Sequence, residues 1–243
     1  MTRDDVMSLA LCFDAPMQSW GIRSRGIIRD TMPEPTKSGV VGLLAAALGI
    51  DRNDDMALAV IAGLRLAVRV DREGVMERDY HVTQNVPTTQ GTGHRTVVSE
   101  RYYLADALFL VVLEGGERIL TRVAEAVERP HWRLSFGRKA YVPARPLLAP
   151  GEGPVARSAE DVLKEYGWLE TSPRTRAWMK GQTERPGLRT VVECPPGVAG
   201  TEVRHDQPLS FAEGNRRFAP RAVWTGEVPL TDGMIPAGET LCS

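Results

Sequence analysis

Residues 36–49 read TKSGVVGLLAAALG, an apolar run that opens on hydroxyl side chains and closes on a glycine. The hydroxyl of Thr36 or Ser38 can accept a hydrogen bond from a free amide of the first helical turn. Gly49 suits the position just after the last turn. The stretch therefore predicts a helix with its apolar body over residues 40–48. The longest apolar run, residues 40–50, is too short to span a bilayer.

Strand patterns flank this helix. Residues 7–13 (MSLALCF) are typical of a buried strand, and residues 64–70 alternate apolar and basic side chains as a half-buried strand does. Residues 76–101 are polar and rich in Thr and Gly, which predicts a long hairpin. A buried strand at 107–113 and a helix at 118–127 follow. This order is close to the βαββαβ plan, so we predict an α+β fold with a ferredoxin-like domain of the RRM (RNA-recognition motif) type.

Two regions are predicted along the chain. Residues 1–148 form the RRM-like domain, including an extended thumb hairpin near 78–98. The sequence APGEGP then looks like a linker, and residues 149–243 are expected to form a small, irregular C-terminal β region. The elements predicted there are a short helix and two strands, over residues 158–166, 188–194 and 222–228.

The composition is that of a globular protein, with 243 residues of which 42% are hydrophobic and 25% charged. The first residues, MTRDD, carry acids where a signal peptide carries positive charge, so we expect a cytoplasmic protein without a membrane segment. The cysteines form no CxxC pair and the histidines stand far apart, so we expect no disulfide framework, no metal and no cofactor. These residues are Cys12, Cys194, Cys242, His81, His94, His131 and His205.

Charge is distributed unevenly along the chain. The formal net charge of −1 excludes a non-specific polycation, but residues 129–151 hold five cations and no acid, and residues 15–29 hold three arginines and no acid. Aromatic residues lie among these cations, and arginine with tyrosine or tryptophan suits phosphates and unpaired bases. The sequence therefore favours single-stranded nucleic acid as a partner. Two C-terminal arginine clusters, at 174–189 and 216–221, suit either nucleic acid or a neighbouring subunit.

Two other functions stay open at this stage. Cleavage of RNA without a metal needs only a positioned His, Lys or Tyr near a 2′-hydroxyl, and His131, Lys139 and Tyr141 are candidates. The chain could also be an RRM-like scaffold that contacts protein alone. The acid-free arginine runs count against the scaffold.

Five motifs in order carry a resemblance to a known family. They are PMQSWG at 16–21, PTKSGVVGLLAAALG at 35–49, RDYH at 78–81, ERYYLADA at 100–107 and FGRK at 136–139. Together they resemble the type I-E branch of the Cas-five family of CRISPR-associated proteins, across roughly residues 7–148. The C-terminal third matches only loosely.

The resemblance implies a non-catalytic RNA-binding subunit of Cascade, the RNA-guided DNA surveillance complex of antiviral defence. Such a subunit caps the 5′ handle of the CRISPR RNA. Its thumb contacts the backbone subunit CasC, the large subunit CasA lies nearby, and target DNA is involved indirectly. A different subunit cuts the precursor RNA in type I-E systems, whereas the Cas-five protein itself is the endoribonuclease in type I-C systems.

The resemblance also assigns residues. Arg101 matches the arginine before the Tyr-Leu of the family motif and is expected to hold the handle. Gly137, Arg138 and Lys139 match a Gly-Arg-Arg turn, in which lysine keeps the charge but loses the guanidinium fork. Ser135 stands where a tyrosine would stack on a base. The other expected RNA contacts are Gln18, Trp20, Arg23, Arg25, Lys37, Ser38 and Arg145, although Trp20 could equally belong to the core. The expected thumb contacts are Tyr80, His81, Val86 and Thr88.

Overall fold

The fold is built from strands covered by short helices. The computed structural model describes residues 6–22, 26–149 and 151–236. The helices of this part are α1 (Lys37–Leu48), α2 (Asp55–Ala62), α3 (Glu117–Glu128), α4 (Ala159–Glu165) and α5 (Pro173–Lys180). The strands are β1 (Met7–Asp14), β2 (Met17–Gln18), β3 (Ile28–Arg29), β4 (Arg65–Arg72), β5 (Val75–Pro87), β6 (His94–Ala105), β7 (Leu108–Gly115), β8 (Leu188–Cys194), β9 (Glu202–Ser210) and β10 (Arg217–Val228). The predicted mixed α+β class is confirmed.

A six-stranded sheet forms the body of the protein, in the order β1, β7, β4, β8, β10, β9. Every neighbouring pair in it is antiparallel. β4 lies inside the sheet, between β7 from the first half of the chain and β8 from the last third. The C-terminal strands therefore extend the main sheet. The division of the chain at residue 148 stays a prediction.

The first half of the sheet is compatible with the predicted ferredoxin-like plan. β1, β7 and β4 are adjacent, and α1 and α3 pack on one face of them. The plan calls for a fourth strand beside β1, but the described residues 144–149 and 151–155 contact that edge without forming a regular strand. There Cys12 donates to the Leu147 carbonyl over 2.7 Å, and Ser8 and Val155 exchange two backbone hydrogen bonds. Pro146 and Pro154 have no amide donor, which prevents a continuous ladder.

Helix α1 begins and ends as the sequence predicts. The hydroxyl of Thr36 accepts a hydrogen bond from the Gly39 amide over 3.2 Å, so Thr36 is the N-cap. Gly49 follows the last turn in the left-handed region, with φ of 72°, and its amide donates to the Ala45 carbonyl. The apolar side of the helix packs into the main core between the sheet and the helices.

The prediction of a half-buried strand at residues 64–70 is wrong, because β4 is buried on both faces. Helix α4 covers the second face. Arg69, which alternation would place in water, is fully buried and forms two hydrogen bonds with Asp71, of 2.6 and 2.9 Å. Its third nitrogen, Nη1, donates to two carbonyls at the end of α4, those of Leu163 (2.7 Å) and Tyr166 (2.8 Å). The buried guanidinium thus attaches α4 to the sheet.

The predicted hairpin grows directly out of the main sheet. Only two residues separate β4 from β5, and two separate β6 from β7. β5 and β6 pair from Val75 and Ala105 to Pro87 and His94. β2 and β3 pair with the other edge of β6, near its C-terminal end. The base of the hairpin is therefore a small second sheet fixed to the body of the protein.

Strand β9 had no counterpart in the sequence patterns. Its buried positions include Asp206, Pro208 and Ser210, which give no apolar alternation. Asp206 is buried because the Lys37 amide and the Arg221 guanidinium satisfy its carboxylate, and such distant partners are invisible to a local pattern.

Replacing Arg69 with alanine tests the buried pair. The change leaves the Asp71 carboxylate buried without its cation, so we expect the free energy of unfolding to fall by about 3–5 kcal/mol. The matched control is Arg157→Ala, which removes an exposed ion pair to Glu165, a residue of α4. There we expect a loss below about 1 kcal/mol in a urea titration. Equal losses would contradict the assigned role of Arg69.

Candidate nucleic-acid interface

The base of the hairpin gathers charged side chains from separate parts of the chain. In β6, Arg101 lies beside Arg29 of β3 on one side and beside Asp79 of β5 on the other. Opposite residues on neighbouring strands share one face of the sheet, so these side chains form a row. Nε of Arg101 donates to the Ser99 hydroxyl over 3.1 Å. Its terminal nitrogens have no partner among the residues the structure describes, so the guanidinium fork is available to a ligand.

The turn at residues 136–141 is attached to the same strand. Nη2 of Arg138 donates to the Tyr102 carbonyl over 2.8 Å, and its Nη1 donates to the Tyr141 hydroxyl over 2.6 Å. The ring of Tyr141 lies 5.9 Å from that of Tyr103, measured between centroids. These contacts fix the turn against β6. The cations of the turn and the arginine of the strand therefore belong to one rigid surface.

Gly137 is the residue that lets the turn approach the body of the protein. Its φ is 92°, and a Cβ added there would stand 2.0 Å from the Ser19 carbonyl oxygen. The approach is held by a hydrogen bond of 3.0 Å from the Ser19 amide to the Phe136 carbonyl. Lys139 follows in the turn with its side chain exposed. Glycine is thus required on steric grounds, and the neighbouring cations are left at the surface.

Two of the family motifs, PMQSWG at 16–21 and PTKSGVVGLLAAALG at 35–49, meet beneath this surface and not on it. Gln18 is fully buried and donates to the Ala107 carbonyl over 2.8 Å. Trp20 is 1% exposed, stacks on Phe13 at 5.6 Å, and lies so close to Gly39 that an added Cβ would be 2.8 Å from its ring. This placement corrects the expectation of RNA contact, because buried side chains offer no surface to a strand. We assign both residues to the support of the site.

Lys37 is likewise unavailable. It is 1% exposed, and its Nζ donates to Glu193 over 2.7 Å and to the Leu64 carbonyl. Burial lowers the pKa of the Lys37 ammonium, and the Glu193 carboxylate offsets part of that effect. The Lys37 amide donates to Asp206 over 2.8 Å, and Asp206 pairs in turn with Arg221. The expectation of phosphate binding is corrected: this network joins the start of α1 to β8, β9 and β10.

The remaining expected contacts are dispersed. Ser38 is half-buried in the first turn of α1, and Ser135 is half-buried before the glycine turn. Arg145 forms an ion pair of 3.0 Å with Asp14 and donates to the Leu169 carbonyl over 2.9 Å, which makes it a link between segments of the fold. Two further expected contacts lie outside the described residues, namely Arg23 and Arg25.

One face of the hairpin is exposed and apolar. Tyr80 is 63% exposed, and Val82 and Val98 beside it are also exposed. The tip is closed by a hydrogen bond of 2.7 Å from the Thr88 hydroxyl to the Thr92 carbonyl. The other expected thumb contacts are half-buried along β5, namely His81 and Val86.

The C-terminal arginine clusters serve in part to hold the fold together. Four of the eight cations in these clusters pair with acids elsewhere in the chain. The pairs are Arg185–Asp232, Arg189–Glu34, Arg189–Glu73, Arg217–Asp55 and Arg221–Asp206. Half of the cations that the sequence left without a role are therefore neutralised within the protein, whereas Arg174 and Arg216 are exposed.

The candidate catalytic groups do not form one cluster. His131 donates its amide to the Ala47 carbonyl at the end of α1, whereas Tyr141 is buried against β6 and Lys139 is exposed beside it. Burial raises the pKa of the Cys12 thiol to about 12, so it is protonated at neutral pH and a poor nucleophile.

Within the ranges that the structure describes, no three His, Cys, Asp or Glu side chains are placed to hold a metal ion, and no helix is long and apolar enough to cross a membrane.

Sequence reasoning missed some members of this surface. Arg29 belongs to the acid-free run at 15–29, but no local pattern separates it from its neighbours, because only the pairing of β3 with β6 places it beside Arg101. Asp79 stands in the RDYH motif, but its position beside Arg101 depends on the register of the hairpin.

Comparison with known proteins gives a consistent result. The chain matches the family described as CRISPR-associated protein (Cas_Cas5) over residues 8–224. It is 32% identical to the CRISPR system Cascade subunit CasD of Escherichia coli (strain K12) over 154 residues, covering 58% of this chain and 69% of that protein. A solved structure described as a crystal structure of Cas protein is 37% identical, with a TM-score of 0.70, covering 95% of this chain and 98% of the other. A chain of a CRISPR RNA-guided surveillance complex is 29% identical, with a TM-score of 0.74, covering 96% and 95%.

Alanine at Gly137 tests the close approach of the turn. The matched control is Gly214→Ala, since Gly214 has a φ of 73° and nothing within 4 Å of an added Cβ. The control carries only the backbone strain, so we expect its free energy of unfolding to fall by about 1 kcal/mol. Gly137→Ala adds the clash with Ser19, and we expect about 2 kcal/mol more. Urea unfolding measures both, and identical losses would show that the turn does not need this close approach.

Proposed function

The chain belongs to the Cas5 family of CRISPR-associated proteins, and on that basis we propose that it is a non-catalytic subunit of a type I-E Cascade complex that holds the 5′ handle of the CRISPR RNA. Support comes from a relative named as a Cascade subunit and from similarity to a chain of an RNA-guided surveillance complex. The proposal places the handle on the surface made by Arg29, Arg101, Arg138 and Lys139.

One observation carries this proposal: cations from β3, β6 and the glycine turn lie together at the base of the hairpin, where Arg29 stands beside Arg101 and Arg138 is bonded to β6. Among the described residues nothing bonds to the terminal donors of Arg101, and a guanidinium fork matches the oxygens of a phosphate. Arg138 is held in place by backbone and hydroxyl contacts, so its orientation is set before RNA arrives. A rigid donor set of this kind suits the backbone of single-stranded RNA.

The hairpin is proposed to be the thumb. Its exposed apolar face, with Tyr80 and Val82, is the type of surface that protein partners cover. In the proposed assembly this thumb contacts the backbone subunit CasC, the large subunit CasA lies nearby, and target DNA is met only through the guide RNA. The half-buried His81, Val86 and Thr88 support the shape of the hairpin at this contact.

Arg101→Ala tests the proposed handle site. The change removes a free fork, and hydrogen bonds of charged groups are worth about 1.5–3 kcal/mol, so we expect RNA binding to weaken about 10- to 150-fold. The slope of log affinity against log salt should also fall by about 0.7 for each phosphate that the variant no longer neutralises. Fluorescence anisotropy with the cognate repeat RNA measures both quantities.

The control for this experiment is Arg217→Ala. Arg217 is a partly exposed cation on β10 with an ion pair to Asp55, so the change removes the same charge at a distance from the site. We expect its RNA affinity and its salt slope to match those of the unchanged protein. If Arg101→Ala behaves like this control, the proposed site is wrong.

Incubation of the pure protein with its repeat RNA in EDTA tests the absence of catalysis. We expect the RNA to stay intact by mass analysis, because His131 is held on α1 while Lys139 and Tyr141 lie by β6. Discrete cuts at one position that disappear in a Lys139→Ala variant would instead identify a processing nuclease.

A further inference from the structure

Residues 129–139 form a cationic loop that leads into the glycine turn. Four of its side chains are cationic and none is acidic. The loop is anchored at its start, where the amides of His131 and Trp132 donate to the carbonyls of Ala47 (2.9 Å) and Ala46 (3.1 Å) at the end of α1. It is anchored again further along, because Leu134 is buried in the main core. The backbone between α3 and the turn is therefore held in one conformation.

This loop presents one large ring to solvent. Trp132 is 47% exposed, whereas the rings of Phe136 and Tyr141 are buried. The His131 ring meets the indole edge-on, with centroids 4.8 Å apart and an interplanar angle of 79°. Nearly half of the Trp132 surface is open to solvent beside this contact. Because the backbone is already fixed, little conformational entropy is lost when a flat group stacks on the exposed part of the indole.

The charges around Trp132 indicate what that flat group is. Arg129 and Arg133 are exposed and have no acidic partner in the part of the chain that the structure describes. An exposed ring on a loop whose neighbouring cations are unpaired matches an unpaired base and the phosphates that flank it. The other half-exposed tryptophans fit this description less well. The indole of Trp224 lies over Gly226, where an added Cβ would be 1.9 Å from the ring, and Trp178 lies on α5, away from the glycine turn in sequence.

Trp132 is also within reach of the proposed handle site. Arg138 is six positions further along the chain, which sets the two Cα atoms at most about 20 Å apart. A single strand of a few nucleotides spans such a distance. One strand can therefore contact the Arg138 turn and the indole at the same time.

We propose that Trp132 stacks on an unpaired base of the RNA strand held by Arg101 and Arg138, with Arg129 and Arg133 contacting the phosphates on either side of that base. This inference rests on the proposed function and adds to it the path of the strand, from the hairpin base towards the end of α1.

The test uses the full chain and its cognate repeat RNA, as intact strands and as a series with one abasic nucleotide each. Stacking on an aromatic side chain is worth about 1–3 kcal/mol per base, so Trp132→Ala should weaken binding about 5- to 150-fold. Trp132→Phe should keep most of the affinity. One abasic position should weaken binding to the unchanged protein but add nothing to the loss in Trp132→Ala, because both changes remove the same interaction.

Two variants serve as controls. Trp178→Ala removes an exposed tryptophan on α5 and should leave affinity unchanged. Arg101→Ala tests the proposed function separately. Circular dichroism of each variant verifies that the fold is kept.

The outcomes separate the inference from the proposed function. Retained affinity in Trp132→Ala together with a loss in Arg101→Ala overturns only the stacking inference, and so does an abasic loss that adds fully to the Trp132→Ala loss. Unchanged binding in both variants overturns the proposed function as well. A DNA strand of the same sequence is a further probe: a Trp132→Ala loss seen on DNA but absent on RNA overturns the assignment of the ligand as RNA.

Discussion

The buried pair of Arg69 and Asp71 is the interaction on which the arrangement of the chain depends. A fully buried guanidinium is tolerated only when its charge and its donors are all satisfied. Here the Asp71 carboxylate accepts hydrogen bonds from one side of the guanidinium. Carbonyls at the end of α4 and the Gly167 carbonyl accept the others. This demand brings α4 onto the second face of the main sheet. Because Arg69 lies on β4, the contact also fixes the strand that joins the two halves of the chain.

The position of the proposed RNA surface follows from that central strand. The chain passes from β4 into the hairpin and returns from it into β7. Both connections are short, so the base of the hairpin is fixed to the main sheet. Arg72, at the end of β4, donates hydrogen bonds to Asp106 and Glu170 and so stabilises the junction between the main sheet and the hairpin. The cations of β3, β6 and the glycine turn are therefore held on a fixed platform. Fixed donors lose less entropy on binding than mobile ones, which suits recognition of a flexible strand.

The arginines of this protein have two roles. Some arginines of the C-terminal third, such as Arg189 and Arg221, pair with acids and hold strands together. In contrast, Arg101, Arg129 and Arg133 have no acidic partner among the residues that the structure describes. A charge run in the sequence does not distinguish these roles, because pairing depends on which acid the fold brings near. Glu34, for example, is fully buried between Arg189 and Arg204, which are more than 150 residues away in the chain.

The sequence alone determined several local elements and the family. The caps of α1, the apolar strands β1 and β7 and the long hairpin follow from side-chain chemistry within a few residues, and the ordered motifs identified the family. Only the tertiary structure decided the roles of single residues in the candidate site. Gln18, Trp20 and Lys37 belong to two of the family motifs but are buried. Arg29 lies beside Arg101 only because β3 pairs with β6. The physical reason is that burial and ion pairing are set by partners distant in sequence, which a local pattern does not contain.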